Sequence, residues 1–287
     1  MTFSQYDPAP TARDQVTLTA RSESLGIIGF GPIGRRLAER FAAAESGPRL
    51  AALLIRERQL EEARRLAPGV TLCTDLDAFI AAGPSIAVEC ASPATFAASA
   101  PKLLATGCDI IPLSLGAFAD PAAETLLREA AERGPGRIEV PAGALGSIGF
   151  LAAGRENGLS RVNVTVGYPL QRWQKMGAER FAPVTSVQVA TPFLEASARE
   201  IALHFPGHLN VVTAAALAGL GLDETRVELV ADPAASQAWF RIEAISASGP
   251  VTLFVGGRDA PVEEDPLDYT TFSAMRLLRR RSAPIAI

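Results

Sequence analysis

The chain has 287 residues, 48% hydrophobic and 20% charged, enough for one large domain or two ordinary ones with a well-filled core. Its 27 Lys and Arg against 31 Asp and Glu give a formal net charge of −4, which argues against a nucleic-acid binder. No run of about 18 apolar residues exists to span a membrane. The three cysteines, Cys73, Cys90 and Cys108, form no CxxC pair, so neither a disulfide framework nor a metal site is expected, and a reducing cytoplasm is the default.

Residues 1–24 lack the apolar stretch of a secretory signal and read as a loose tail. From Leu25 to Pro141, apolar runs alternate with amphipathic helical stretches. The runs are LGIIGF (25–30), LAALLI (50–55), VTLC (70–73), SIAVEC (85–90), DIIPLSL (109–115) and RIEVP (137–141). Runs that do not alternate suggest strands buried on both faces, so 25–141 is expected to be a Rossmann-type α/β domain with a doubly wound parallel sheet. After Pro141 the rhythm changes. Strand-like runs at VNVTVGY (162–168), TSVQVAT (185–191), RVELVA (226–231), WFRIEAIS (239–246) and VTLFVGG (251–257) are interrupted by helical LEASAREIALHF (194–205) and NVVTAAALAGLG (210–221). Short turns between strands imply a second, α+β domain over 142–265 with a mainly antiparallel sheet. A last helix within 266–287 is expected to return to the first domain.

The sharpest motif is Gly29-Phe30-Gly31-Pro32-Ile33-Gly34, which follows an apolar strand and opens a helix. In that context GxGxxG reads as a dinucleotide-binding turn: Gly29 for the bend, Gly31 for backbone approach to a pyrophosphate, Gly34 for helix–strand packing. The free amides and positive end of the helix suit the phosphates, and Pro32 fits an early helical position. The second strand runs into Arg56-Glu57-Arg58. Glu57 suits the ribose hydroxyls of NAD, whereas Arg56 suits the 2′-phosphate of NADP, so NADP or NAD remains open. Glu89, Ala91 and Ser92 follow the fourth strand, where ligands of open α/β sheets gather, and Ala91 and Ser92 are assigned to the cofactor.

From Leu25 to Ile287 the chain resembles the L-aspartate dehydrogenase family. The resemblance rests on GFGPIG (29–34), VECAS (88–92), LSLGAF (113–118), IEVPAGALGSI (138–148), SAREIALHFPGHLNV (197–211), ALAGLGLDETRVELVADP (216–233) and SAMRLLRRRSAPIAI (273–287). It implies an NAD(P)-dependent enzyme that interconverts aspartate and oxaloacetate with ammonia, through an imine, often as a dimer. It also implies cofactor contacts at Ala144 and Asn210. The family's Asn-x-His after the ADP motif, which carries its catalytic His, is not matched: by spacing Phe240 stands at the His position and Ala238 at the Asn position. The family's Arg-Lys-Pro is replaced by Gly167-Tyr168-Pro169.

Tyr168, Trp173, Trp239 and Phe240 therefore suggest a larger, more apolar substrate pocket. His208 is the candidate acid or base, because histidine shuttles protons near neutrality and its loop precedes Asn210. Tyr168 is the second catalytic candidate. Three functions are consistent with these residues: a dehydrogenase or imine reductase acting on a small substrate other than aspartate, an aspartate dehydrogenase with a relocated acid/base, or a silent dinucleotide-binding protein.

Overall fold

Apolar runs without alternation need cover on both faces, and the first half of the chain supplies it. The computed structural model describes residues 23–44, 46–143, 145–146, 148–256 and 269–285. The expected tail over 1–24 lies outside them except for Glu23 and Ser24, and Ser24 already begins the first strand. In order come β1 (Ser24–Ile28), α1 (Pro32–Ala42), β2 (Arg49–Leu54), α2 (Leu60–Leu66), β3 (Thr71–Cys73), α3 (Leu76–Ala81), β4 (Ile86–Glu89), α4 (Pro93–Ala105), β5 (Asp109–Pro112) and α5 (Pro121–Arg133). The strands form a parallel sheet in the order β3-β2-β1-β4-β5. Alternate residues enter different cores. Ile27 and Val88 pack with Leu37 and Phe41 of α1, whereas Ile28 and Ala87 pack with Phe79 of α3 and Phe96 of α4. Reversal of strand order between β1 and β4 opens a crevice at their carboxyl ends.

The second half contains α6 (Ile148–Glu156), β6 (Arg161–Tyr168), α7 (Leu170–Lys175), β7 (Thr191–Ser197), α8 (Ala198–His204), α9 (Asn210–Ala218), β8 (Arg226–Ala231), β9 (Trp239–Ser246), β10 (Gly249–Val255) and α10 (Tyr269–Arg280). Its sheet order is β10-β9-β6-β8-β7, antiparallel except for the β6–β8 pair. Helices cover one face, where Val162, Val164, Val166, Phe240 and Ile242 join the buried residues of α8 and α9. Ala274 and Leu278 of α10 pack beside Leu37 and Phe41 of α1.

Three expected elements differ. Residues 137–141 form no strand, only a single parallel bridge between Ile110 and Ile138. Residues 185–190 are irregular, with Val189 70% exposed, so no neighbour exists there for a strand to bury against. The strand instead runs over Thr191–Ser197, and the following helix begins at Ala198 rather than Leu194. Ser197 sets that start through a capping box: its Oγ accepts the Glu200 amide at 3.2 Å and the Glu200 Oε2 accepts the Ser197 amide at 2.9 Å. Arg281 does not simply follow a helix end as a solvated cation. It is largely buried against Glu23, Asp109 and Glu139, which ties the start of β1, the start of β5 and the 137–140 segment together.

Candidate active site

The crevice is built first from the turn after β1. Gly29 holds φ +106, a left-handed conformation that favours glycine, and a Cβ there would lie 3.0 Å from Ala91. A Cβ on Gly34 would meet the Gly29 carbonyl oxygen at 2.2 Å, so only a hydrogen lets α1 sit this close to β1. Gly31 differs: a Cβ there meets nothing within 4 Å. It caps α1 from an extended conformation and contributes no side-chain bond, which leaves open space at the helix's amide end. Pro32 takes the first helical position, and Ile33 and the buried Phe30 fill the hydrophobic side of the turn. A diphosphate fits this cradle through backbone amides and helix dipole.

Arg56 and Glu57 lie exposed just beyond β2, on the side where an adenosine ribose would fall. Gln59 orders this corner by donating to the Phe30 carbonyl at 3.0 Å and accepting the Arg56 amide at 3.1 Å. Neither Arg56 nor Glu57 has an ion-pair partner among the described residues.

The opposite wall begins at Glu89, the last residue of β4, which is fully buried. Its Oε1 accepts the amides of Ala91 and Ser92 at 2.7 and 2.9 Å and the Ser114 hydroxyl at 3.1 Å. Its Oε2 is buried without a partner among the described residues. Burial pushes the carboxyl above its ordinary range, against the lowering effect of those donors. Ser92 caps α4 by accepting the Thr95 amide at 3.1 Å.

The second domain reaches this wall through Asn210, whose Nδ2 donates to the Leu113 carbonyl at 2.9 Å. Its Oδ1 is likewise buried and unpartnered among the described residues. Leu209, just before it, has φ 55 and ψ 32, the one non-glycine residue with positive φ among the described residues. Such strain persists where surrounding structure holds it, and here it sets Asn210 at the first turn of α9. Sequence reading missed it, because nothing about a leucine signals a left-handed backbone. His208 lies exposed on the same loop, and its imidazole has no hydrogen-bond partner among the described residues. Ala144, the other expected cofactor contact, lies outside the described residues.

Beyond Asn210 the loop joins an aromatic cluster. Phe205 packs 5.8 Å from Trp173, Trp173 lies 4.8 Å from Tyr168, and Tyr168 meets Phe240 edge-on at 6.2 Å. Trp173 is fully buried and donates its indole N–H to the Val230 carbonyl at 2.7 Å, as a core residue does. Trp239 is not brought to this cluster. Neighbouring strand residues point to opposite faces, so Phe240 joins Tyr168 while Trp239 lies over Gly167 on the other side. Trp239 is held there by the Asp232 carboxylate at 2.9 Å and packs 6.0 Å from the exposed Phe254.

Arg172, which no sequence motif marks, lies beside this cluster. Its guanidinium lies 4.1 Å from the Tyr168 ring centroid and has no carboxylate partner among the described residues. Burial pushes the Tyr168 phenol up, and Arg172 pulls it partway back. The only sequence signal for Arg172 was its place four residues after Tyr168, the spacing that brings side chains together on a turn.

Comparison with known proteins fits this geometry. Residues 29–141 match the family model described as homoserine dehydrogenase, NAD binding domain, and residues 150–281 match the one described as aspartate dehydrogenase, C-terminal. The chain is 32% identical over 269 residues to an L-aspartate dehydrogenase of Cupriavidus necator, covering 92% of this chain and 99% of that one. It is 32% identical over 266 residues to an L-aspartate dehydrogenase of Brucella anthropi, covering 93% and 99%. The solved aspartate dehydrogenase of Thermotoga maritima shares the fold, with TM-score 0.71 and 23% identity over 92% of this chain and 99% of that one.

Proposed function

The chain belongs to the aspartate dehydrogenase family and is an NAD(P)-dependent dehydrogenase; from that premise we propose that it acts on the C=N or C=O carbon of a small carboxylic acid, interconverting amine and imine. The nicotinamide, when bound, supplies or takes the hydride. The residues around it bind, orient and exclude water. Gly29–Gly34 holds the diphosphate, Arg56 and Glu57 flank the adenosine ribose, and Ala91, Ser92 and Asn210 surround the nicotinamide end, with Ala144 a cofactor contact by family resemblance. The observation that carries this reading is the unpartnered Asn210 Oδ1 beside the Leu113 corner, an acceptor suited to a carboxamide N–H.

On the substrate side, Arg172, stacked on Tyr168, would take one carboxylate, and Tyr168 would hydrogen-bond a carbonyl or imine. Phe240 presents an apolar edge where an acidic substrate would need a partner. A second carboxylate buried there without a partner would cost several kcal/mol, on the order of a buried unpaired charge. The preferred substrate is therefore a monocarboxylate keto acid with ammonia, or a preformed imine. A second reading, favoured by the exposed and unpartnered His208, is an aspartate dehydrogenase in which that imidazole handles the proton. The measurement is kcat/KM for oxaloacetate with ammonia against monocarboxylate keto acids and neutral imines. Oxaloacetate emerging as the best substrate overturns the pocket argument and leaves His208 to be tested by replacement with Gln. The same reading takes the protein as a cytoplasmic homodimer, checked by light scattering of the eluted species.

A further inference from the structure

Glu89 is not among the groups assigned above to binding or chemistry, yet its setting is unusual for a carboxyl. It ends β4, at the point where strand order reverses and a dinucleotide enters. It is 0% exposed. Three short hydrogen bonds fall on Oε1 and the Ser114 backbone amide also acts on the carboxyl, whereas Oε2 is buried with no partner at hydrogen-bond distance among the described residues. A buried polar atom left in this way carries a desolvation cost, so a purely structural role would be served better by a residue with one acceptor fewer.

The three donors tie Glu89 to both walls of the crevice. The Ala91–Ser92 amides belong to the corner that lies against Gly29, and Ser114 follows Leu113, whose carbonyl takes Asn210. The two unpartnered oxygens, Glu89 Oε2 and Asn210 Oδ1, thus flank one two-residue segment. Among the described residues no cation pairs with the carboxylate. From β1 it faces Ile28, from β5 Pro112, and from the start of α4 Ser92; its titratable neighbour in the sheet is Cys90. Burial keeps the Cys90 thiol protonated. From the second domain the loop carrying His208 comes up to Gly116, two residues beyond Ser114.

We propose that Glu89 is a proton-exchanging positioning residue, neutral in the free enzyme and in the complex with reduced cofactor, and ionised when the oxidised, positively charged cofactor binds. This rests on the NAD(P)-dehydrogenase reading. The step breaks the carboxyl O–H bond of Glu89 and passes the proton to solvent; nothing is oxidised or reduced. An oxidised nicotinamide ring held in this crevice would supply a positive charge to Glu89, and the buried, low-dielectric setting of the carboxyl would strengthen that coupling. The consequence is selectivity between the two redox forms that depends on pH.

The test is isothermal titration of NAD(P)+ and of NAD(P)H into the intact protein, in buffers of different ionisation enthalpy, from about pH 6 to about pH 9. NAD(P)+ binding should release up to about one proton per chain at the lower end, and its affinity should rise roughly tenfold or more with pH, as a coupling of one pKa unit requires. NAD(P)H binding should release none. Glu89→Gln, which keeps the Oε1 acceptor, should bind both forms with no proton release and no pH dependence. Wild-type protein that binds NAD(P)+ without proton release overturns the proposal, and that result needs no variant to fold. Loss of the proton release in His208→Gln rather than in Glu89→Gln assigns it to the imidazole and also overturns the proposal. Failure to bind either cofactor would instead remove the dehydrogenase reading itself.

Discussion

Gly31 and Gly34 belong to one motif, yet the structure gives them opposite duties, and replacing each separates cofactor binding from folding. At Gly31 the backbone has φ −78 and ψ −170, an extended conformation open to any residue, and an added Cβ meets nothing within 4 Å. Gly31→Val should therefore fold with a melting temperature close to that of the parent. Its side chain would occupy the space through which a diphosphate reaches the amide end of α1. Loss of that approach should weaken NAD(P)H binding at least ~100-fold, about 3 kcal/mol. At Gly34 an added Cβ would sit 2.2 Å from the Gly29 carbonyl oxygen, a backbone atom that cannot swing away. Gly34→Ala should cost about 1–3 kcal/mol of stability, by the usual scale of overpacking, and lower the melting temperature by roughly 2–5 °C. Fluorescence titration with NAD(P)H and thermal melting read the two effects separately. The assignment of this turn fails if Gly31→Val binds cofactor as the parent does. It fails equally if Gly31→Val melts as low as Gly34→Ala, because the space at Gly31 would then be filled by protein rather than left for a ligand.

Arg56→Ala should weaken NADP far more than NAD, since only NADP carries a 2′-phosphate for the exposed guanidinium; equal effects in paired cofactor titrations would remove Arg56 from the site. Arg199→Met should destabilise the protein by about 2–4 kcal/mol, because it leaves the Phe118 and Ala119 carbonyls and Glu124 without their shared donor, which denaturant unfolding would read. Burial alone would raise the Glu124 carboxyl, but the Arg199 and Arg128 hydrogen bonds outweigh it and hold it below the ordinary value. A depressed folded-state value stabilises above the unfolded one and is lost as pH falls through the folded one. The Arg199→Met deficit should therefore be full near neutrality and shrink in acid, below about pH 4; a deficit unchanged down to acid unfolding would show that the ion pair is not its source.

What the sequence made legible was what backbone conformation demands. GxGxxG between a strand and a helix is written in residue types, because only glycine takes φ +106 at Gly29 or tolerates the 2.2 Å approach at Gly34. The parallel sheet was equally visible, since strands covered on both faces need unbroken apolar runs. Where a run could be satisfied by either a strand or an exposed loop, as at 185–190, composition alone gave the wrong element. The strand over Thr191–Ser197 was hidden because Glu195 and Ala196 read as helix formers, and only pairing with β8 decides the matter. On the substrate side, resemblance gave positions but not directions. Trp239 and Phe240 are adjacent in sequence and therefore on opposite faces, so they were never able to line one pocket together. Arg172 and the orphaned oxygen of Glu89 were invisible for a different reason: one rests on its stacking against Tyr168 and the other on the absence of a partner, neither of which a single residue records.

The two domains meet through a shared apolar core, through the Arg199–Glu124 ion pair and along residues 113–119, and that last stretch explains why cofactor and substrate halves should respond together. Leu113 takes Asn210 from α9, Ser114 holds Glu89 from β4, Gly116 faces the loop of Gly207 and His208, and the Phe118 and Ala119 carbonyls take Arg199 from α8. Every one of these ties is a directional bond or a close backbone approach rather than interchangeable apolar packing. A shift of residues 113–119 would therefore move the nicotinamide wall, the candidate proton donor and the α8 anchor as a unit. Apolar contact alone would let the halves slide past one another at little cost, whereas rupture of the Asn210 bond would bare the Leu113 carbonyl and leave both ends of the amide unpaired. The crevice is thus held by polar groups that are themselves incomplete, with Glu89 Oε2 and Asn210 Oδ1 left without partners among the described residues.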